Sequence, residues 1–310
     1  MPMRITGMSS GLDIDSMIRD IMKAERMPVN KLLQKKQTMQ WKVESFNNMN
    51  LKFSALRESV STLRFSGGWA IQLDGNGKVD KQTEDSMVAK IKNFVDKYND
   101  TVSNLNEKLG ETVNRGFLPL TSDEKSAMNE TDIKNWEEKA KSGLLRNDDA
   151  LKKALNELRG LTAATISGAN PAYDTLGEIG ISTPTYAKGS PDNGKLTIDE
   201  AKLRSAIQDD PTAVVGLFSK QGTTFEEKGV FQRAYETIEN AILSVNRKIH
   251  GGLSAAESLT SQMTNIDKKV EEKNKQLVKR EDRYYQMFAA MEKAIANGNA
   301  QMSWLMQQFG

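Results

Sequence analysis

The feature that most constrains this sequence is a pair of long helical patterns, poor in Gly and Pro, one toward each end of the chain. Steps of three, four or seven that add up to heptads are typical of a coiled-coil seam, the row of side chains that packs against a partner helix. Near the amino end, one apolar stripe runs from Ile14 to Met22 and a longer one from Met39 to Leu63. Pro28 lies between the two stripes and separates them, because proline disfavours a helical conformation in the preceding residue. We therefore predict helices over about 13–26 and 29–65. The apolar residues of the longer pattern are Met39, Val43, Phe46, Phe53, Leu56, Val60 and Leu63, with Met49 or Asn50 in the gap.

The carboxyl-terminal pattern predicts a long helix from about Gly252 to Asn297. Lys273 and Arg280 stand at seam positions and weaken the coiled coil locally, so the stripe alone specifies neither a partner nor an oligomer size. The run Asn297-Gly298-Asn299 predicts an interruption before a last apolar tail. The seam positions are Leu259, Met263, Ile266, Val270, Lys273, Leu277, Arg280, Tyr284, Phe288, Met291 and Ile295, and the tail contains Met302, Trp304, Leu305, Met306 and Phe309.

The middle of the chain predicts shorter elements. A helix is expected over about 86–109, and Thr121 and Glu124 have the spacing of a capping box. Asn147 is expected to cap the next helix, and Asp210-Pro211 to begin another. Short strands are expected at 179–181 and 195–198, the second after a turn at 192–194. The fold class predicted is mainly α with a small β component (α+β), in which the long terminal helices form an antiparallel coiled coil beside a helical middle domain.

The amino-acid composition excludes several kinds of covalent cross-link and metal site. The chain has no cysteine and a single histidine, His250, so disulfides, thiolate sites and His pairs for zinc are excluded. With 43 Lys and Arg against 41 Asp and Glu, the net charge of +2 disfavours a nucleic-acid partner. No apolar run is long enough for a membrane-spanning helix, so no membrane insertion is expected. The amino end also lacks the apolar core of a cleaved signal peptide.

Individual candidate sites have plainer interpretations. The alternation at Asp74, Asn76, Lys78 and Asp80 resembles a calcium loop, but Lys78 replaces an oxygen ligand, so a solvated turn is favoured. His250 precedes two glycines, and a histidine there usually caps a helix. Paired glutamates lie beside lysines on helical patterns, where pairing between residues four apart explains them. We predict no catalytic residue, no metal site and no cofactor.

Several motifs nonetheless carry a family resemblance. The run from Ile5 to Asp15 (ITGMSSGLDID) resembles the amino-terminal signature of the flagellar filament cap family, also called hook-associated protein 2. The carboxyl end is similar to that family's other signature, in 283–295 (RYYQMFAAMEKAI) and 301–309 (QMSWLMQQF). The internal motifs, in the family's order, are 143–148 (GLLRND), 176–181 (LGEIGI), 194–200 (GKLTIDE) and 210–218 (DPTAVVGLF).

The sequence also departs from this family's pattern. Members usually carry outer, largely β head domains after the first long helix, but here the corresponding interval, 66–85, is only about twenty residues long. Either a natural short form lacks the heads or this sequence omits them, and no adhesive activity of the heads carries over. We predict a terminal coiled-coil domain of 1–40 and 276–310, a helical middle domain of 41–66 and 85–275, and a short connection at 67–84.

The resemblance implies a structural cap at the distal tip of the bacterial flagellar filament, which promotes flagellin insertion and prevents flagellin leakage. It implies export through the flagellar channel without a cleaved signal peptide, a homo-oligomer that is commonly a pentamer, and contacts with flagellin, hook–filament junction proteins and a flagellar export chaperone. The alternative from the heptads alone is a cytosolic coiled-coil scaffold or adaptor; a carboxylate hydrolase is a third class. Partner contacts are expected at Ile5, Leu12, Ile14, Ile18, Ile21, Phe288, Met291, Ile295, Met302, Leu305 and Phe309.

Overall fold

The computed structural model describes residues 11–163, 165–185, 190, 192–252 and 257–309. Over these residues the chain is mainly helical, with a small two-stranded antiparallel sheet, as the sequence predicts. The elements in chain order are α1 (Ile14–Glu25), α2 (Met27–Ser61), a 3₁₀ helix (Ser66–Trp69), α3 (Lys81–Gly110), α4 (Ser122–Ser126), α5 (Glu130–Lys141), α6 (Asp149–Ala163), β1 (Ile181–Ser182), β2 (Thr197–Ile198), α7 (Glu200–Asp209), α8 (Pro211–Ser219), α9 (Val230–His250) and α10 (Leu259–Phe309).

The chain divides into two compact units. The first unit comprises the described parts of Met1–Met39, Leu118–Ile133 and Gln262–Gly310. The second unit comprises the described parts of Gln40–Phe117 and Lys134–Ser261.

The junction between α1 and α2 is less abrupt than the sequence predicts. Asp13 begins α1 by accepting a hydrogen bond from the Ser16 amide at 2.9 Å. Arg26, between the two helices, has helical dihedral angles (φ −78°, ψ −15°). Pro28 therefore lies in the first turn of α2, where its missing N–H removes no helical hydrogen bond. Helix α2 ends at Ser61 rather than near 65.

The predicted interruption of the carboxyl-terminal helix is wrong. Helix α10 runs without a break through Asn297, Gly298 and Asn299 and includes 51 residues, or roughly 75 Å at 1.5 Å per residue. Gly costs about 1 kcal/mol in a helix relative to Ala, and Asn less, but neither removes a backbone donor as proline does. Two unfavourable residue types do not end a helix that is established on both sides. The helix also begins later than predicted, at Leu259.

The seam of α2 is buried within the second unit. Phe46, Phe53 and Leu56 are fully buried, and Met49 fills the gap that the heptads left. Asn50 is only half buried and donates from Nδ2 to Asn246 Oδ1 of α9 at 2.9 Å. Because the seam is enclosed by helices of its own unit, this part of α2 belongs to an intramolecular core.

An aromatic cluster lies in the same core. The ring of Trp69 stacks on Phe218 and Phe231 with centroids 5.5 and 5.8 Å away, and Phe94 packs against Phe231 at 4.7 Å. The Trp69 indole nitrogen donates to the Leu63 carbonyl at 2.8 Å. Both the ring and the N–H group of Trp69 therefore hold the short 3₁₀ helix in the core.

The strands form where the sequence predicts β structure, although they are shorter. Ile181 pairs with Ile198 and Ser182 with Thr197. Asn99 of α3 satisfies the neighbouring backbone, since its side chain donates to the Leu196 carbonyl at 2.8 Å and accepts from the Leu196 amide at 2.7 Å. The Asn99 side chain therefore bonds to both backbone groups of Leu196, as a neighbouring strand would.

Three predicted helix starts have different outcomes. The capping box is confirmed, because Thr121 accepts from the Glu124 amide and Glu124 accepts from the Thr121 amide at 2.7 Å. The start at Asp210-Pro211 is confirmed, with Asp210 accepting from the Ala213 amide at 2.8 Å. The cap at Asn147 is wrong. Asn147 has a left-handed φ of +59°, and Asp148 is the residue that accepts from the Leu151 amide at 3.2 Å.

Candidate interface at the terminal helices

A small hydrophobic cluster joins α1 to α10 inside the first unit. Ile14, Ile18 and Met22 of α1 are buried together with Phe288 of α10. These α1 residues recur every fourth position, which places them on one face of the helix. The partly buried residues that pack around them are Ile21, Leu277, Tyr284, Tyr285 and Met291.

Polar contacts at the edge of this cluster fix the direction of the two helices. Tyr285 donates from its hydroxyl to Asp15 at 3.0 Å, and Tyr284 donates to Glu25 at 3.2 Å. Arg280 forms an ion pair with Glu25. As the residue numbers rise along α1, its contacts move to lower numbers along α10, so the two helices run in opposite directions. Arg280, expected to weaken the seam, instead lies at the edge of the cluster and pairs with a carboxylate.

A second segment packs on the amino-terminal helices of this unit. Gln34 of α2 donates from Nε2 to the carbonyl of Pro119 at 2.8 Å, and Pro119 is buried. Asp123 of the short helix α4 lines a groove together with Ile18 of α1 and Tyr285 of α10. This association was not predicted, and no periodicity in 118–133 indicates it, because the contact uses a backbone carbonyl and an isolated proline.

The apolar stripe of α10 continues beyond the residues that α1 covers. Met302, Leu305, Met306 and Phe309, here called the tail stripe, are 58%, 46%, 69% and 86% exposed. They follow Phe288, Met291 and Ile295 at helical spacing, so they extend the face that packs on α1. Trp304 is also exposed but lies on roughly the opposite side of the helix. The far end of α10 thus presents a row of large apolar side chains.

The predicted contact residues that the structure describes fall into three groups by their exposure. Ile14, Ile18 and Phe288 are buried in the cluster between α1 and α10, so they are not on the surface of this chain. Ile21, Met291 and Ile295 are partly exposed, whereas Leu12 and the predicted members of the tail stripe are exposed. Ile5 lies outside the described residues. Whether these residues contact a partner stays a prediction.

A cluster of charged side chains holds two helices of the second unit together. Arg204 of α7 donates to Glu84 and to Asp85 of α3, both at 2.5 Å, and Gln208 donates to Glu84 at 2.6 Å. Burial opposes ionisation of Glu84, but the hydrogen bonds from Arg204, Gln208 and Lys81 outweigh it and lower its pKa. The cluster holds α3 against α7 with every carboxylate charge matched by a cation.

The loop that resembles a calcium site has a structural role. Asp74 Oδ1 accepts from the amides of Asn76 at 2.9 Å and Lys78 at 2.8 Å, which is the bonding of a tight turn. His250 is the last residue of α9 and is exposed.

Within the described ranges, no three His, Cys, Asp or Glu side chains come together as a metal site. Among the same residues, none of the helices has the length and hydropathy needed to cross a lipid bilayer.

The structure defines a mainly helical protein whose amino-terminal and carboxyl-terminal helices pack together. A family model described as "Flagellar hook-associated protein 2 C-terminus" matches residues 74–300, which is well over half of the chain. The chain therefore belongs to the flagellar hook-associated protein 2 family.

Individual relatives agree with this family. The chain is similar to the flagellar hook-associated protein 2 of Halalkalibacterium halodurans, with 28% identity over 246 residues, 73% of this chain and 45% of that protein. It is similar to the protein of the same name from Thermotoga maritima, with 30% identity over 225 residues, 72% of this chain and 33% of the relative. The Escherichia coli K12 relative is 24% identical over 168 residues, 54% of this chain and 33% of the relative. The chain thus matches less than half the length of each of these relatives.

Proposed function

We propose that this chain is a structural subunit of a cap at the distal tip of the bacterial flagellar filament, where it promotes flagellin insertion and prevents flagellin leakage. The role is one of assembly rather than enzymatic chemistry. Its family membership and the name of its relatives, which ties them to the flagellar hook, support a flagellar role.

The tail stripe is the observation that carries the proposal. Large apolar side chains in a row at the end of a helix are costly to leave in water and are typical of a surface that another chain covers. Each of these side chains gains about 1.5 to 3 kcal/mol when fully enclosed. Since the stripe continues the face that packs on α1, a neighbouring subunit or a filament subunit could extend the same kind of packing.

The proposed partners follow from the family role. They are further copies of this chain, most simply as a pentamer, together with flagellin, hook–filament junction proteins and a flagellar export chaperone. The protein would be extracellular, at the flagellum tip, after export through the flagellar channel without a cleaved signal peptide. No nucleic acid and no cofactor take part in this role.

The terminal helices are the proposed assembly module. In this proposal residues 1–40 and 276–310 form the terminal coiled-coil domain, and residues 41–66 and 85–275 form the helical middle domain. The opposite directions of α1 and α10, together with the contacts of Asp15 and Glu25, support an antiparallel coiled coil. The connection at 67–84 is the proposed attachment point for the head domains of longer relatives.

A double substitution on the tail stripe tests the proposal. Leu305→Asp with Phe309→Asp places two charges on the proposed contact surface, and both side chains are exposed in the folded chain. We expect cells that carry this variant to release unpolymerised flagellin into the medium and to lose motility. The melting temperature of the purified variant should stay close to that of the original chain, because no buried residue changes.

A matched control places the same charges on the other side of the helix. Ala300→Asp with Gln307→Asp adds two carboxylates at the same end of α10 but roughly opposite the tail stripe. These cells should swim and grow normal filaments. Normal filaments from the Leu305 and Phe309 variant would refute the role of the stripe. Retention of the original protein in the cytosol of an export-competent cell would instead favour the scaffold alternative.

A further inference from the structure

A groove beside the short helix α4 lies on the amino-terminal helices of the first unit. It has a volume of about 630 Å³, enough for several side chains. One wall is a face of α1 and α2, and the other is formed by residues 121–127. Ala24, Met27 and Ala127 contribute apolar surface, and Met27 is 56% exposed. We call this feature the α4 groove; the residues on its α1–α2 face recur every three or four positions and include Asp20, Ala24, Met27, Lys31 and Gln34.

The tail stripe matches this groove in length and in charge. Met302 and Phe309 are seven residues apart, as are Ala24 and Lys31, and seven helical residues advance about 10 Å. No charged residue occurs in 294–309, so the stripe brings no charge onto the apolar part of the groove. The charged residues that line the groove, such as Lys31, are exposed and can remain in water. An uncharged helix end of this length therefore suits the groove.

The stripe cannot reach the groove of its own chain. Tyr285 bonds to Asp15 near the amino end of α1, and α10 runs from there to Phe309 as one unbroken helix. Met302 lies 17 residues beyond Tyr285, about 25 Å further along α10. Because α1 and α10 run in opposite directions, this advance leads away from Met27 rather than toward it. A tail stripe can therefore enter the groove only from another copy of the chain.

We propose that the tail stripe of one copy inserts into the α4 groove of a neighbouring copy. The contact repeats, between copies, the packing of α10 on the amino-terminal helices that Phe288 and Ile18 make within one chain. Each copy presents one stripe and one groove, so the interface joins two different surfaces and can continue from copy to copy. Such head-to-tail contacts generate rings when the rotation closes. This contact holds the copies of the cap together, a role that rests on the proposed function, whereas the contact itself can be tested in the purified chain.

Disulfide formation between two different single-cysteine variants tests the contact, since the natural sequence contains no cysteine to compete. Met27→Cys and Leu305→Cys both replace exposed side chains, one in the groove and one on the stripe. When the two purified full chains are mixed at micromolar concentration under mild oxidation, we expect a disulfide-linked heterodimer, identified by its intact mass. It should form at least about tenfold faster than either homodimer, because thiols held in a complex meet at millimolar effective concentration. Ala127→Cys on the other wall, mixed with Leu305→Cys, guards against a small shift in register.

Two matched controls separate this contact from chance collisions. Leu33→Cys is also exposed on α2 but does not line the groove, so its mixture with Leu305→Cys should cross-link slowly. Gln307→Cys lies roughly opposite the stripe on α10, so its mixture with Met27→Cys should also cross-link slowly.

Three results would overturn the proposal. The first is a Leu305→Cys homodimer that forms faster than the heterodimer, which would mean that two stripes pack on each other. The second is equal cross-linking in the controls, and the third is no heterodimer with either Met27→Cys or Ala127→Cys. None of these measurements uses flagella. A normal cross-link together with normal flagellin retention in the Leu305→Asp and Phe309→Asp cells would instead refute the cap role alone.

Discussion

Tyr285 donates a hydrogen bond to Asp15 at 3.0 Å and so joins two residues that lie 270 positions apart in the sequence. The contact lies at the edge of the cluster formed by Ile14, Ile18, Met22 and Phe288. Closing so long a loop has an entropic cost that the local contacts must offset. The association of α1 with α10 therefore depends on a few residues, and single substitutions can test it.

A double-mutant cycle with Tyr285→Phe and Asp15→Ala should reveal the coupling between these two residues. We expect about 0.5 to 1 kcal/mol, because the hydrogen bond involves a carboxylate but is exposed to solvent. The free energy of opening α1, measured by hydrogen exchange, provides the readout. A control cycle that combines Tyr285→Phe with Glu25→Ala should be additive within about 0.3 kcal/mol, since Glu25 bonds to Tyr284 instead. Equal coupling in both cycles would contradict the assignment.

Ile18→Ala should loosen α1 without unfolding the second unit. Ile18 is buried in the terminal cluster, and removal of a buried isoleucine side chain costs about 2 to 5 kcal/mol. Amides in α1 and in the facing part of α10 should exchange faster, while those of α9 keep their protection. Met17→Ala, one position earlier and 40% exposed, should change these rates little. Similar effects from both variants would show that the cluster does not hold α1.

The two tryptophans Trp69 and Trp304 should differ sharply in their importance for stability. Trp69 is 1% exposed and stacks on Phe218 and Phe231, so Trp69→Ala should lower the free energy of unfolding of the second unit by about 3 to 5 kcal/mol. Trp304 is 57% exposed, and Trp304→Ala should change stability by less than about 0.5 kcal/mol. Urea unfolding followed by circular dichroism measures both. Comparable losses would contradict the burial of Trp69.

The ionised form of Glu84 should make the second unit sensitive to acid. Because hydrogen bonds lower its pKa below the ordinary value of 4.5, its stabilising effect is present above that pH and is lost as the pH falls through the lowered pKa. Glu84→Gln should reduce stability at pH 7 by about 2 kcal/mol, through the loss of charged hydrogen bonds, and should flatten the loss of stability below about pH 5. Chemical unfolding at a series of pH values measures both effects.

An exposed carboxylate provides the control for this substitution. Glu271 also has a lowered pKa, through its hydrogen bond with Lys275, but both side chains are exposed on α10. Glu271→Gln should therefore change stability little at any pH. An unchanged acid response in Glu84→Gln would mean that other carboxylates cause the acid sensitivity.

Local sequence signals predicted local structure well. The capping box at Thr121 and the start at Asp210-Pro211 depend on side chains that bond within their own turn, so sequence spacing is sufficient. The seam of α2 was also recognised, because its periodicity reflects burial along one face. Features that depend on residues close in sequence are therefore the easiest to predict.

The errors arose where a larger context overrides a local preference. Asn297, Gly298 and Asn299 are poor helix formers individually, yet helix formation is cooperative and α10 continues through them. At the start of α6, Asn147 and Asp148 are both acceptable caps, and the left-handed φ of Asn147 leaves the role to Asp148. Residue preferences alone cannot choose between adjacent candidates.

The candidate interface was only half predictable. Periodicity identified the apolar residues of α1 and α10, but not that Ile14 and Ile18 would be buried while Leu305 and Phe309 stay exposed. That distinction depends on the register, which Asp15 and Tyr285 establish through a contact distant in sequence. The packing of 118–133 on α2 was missed for the same reason, since Gln34 and Pro119 have no common pattern.

The turn between Leu73 and Val79 has a consequence for how this family can change in length. These two residues form an isolated antiparallel bridge, so the chain segments that enter and leave the turn lie side by side. Trp69 on one side and the Asp80 cap of α3 on the other secure the flanking segments independently of the turn. An insertion at Gly75 to Gly77 would therefore meet two anchored chain ends already side by side. Its entropic cost would grow only slowly with its size, so evolution could add or remove whole domains there while the helices beneath keep their packing.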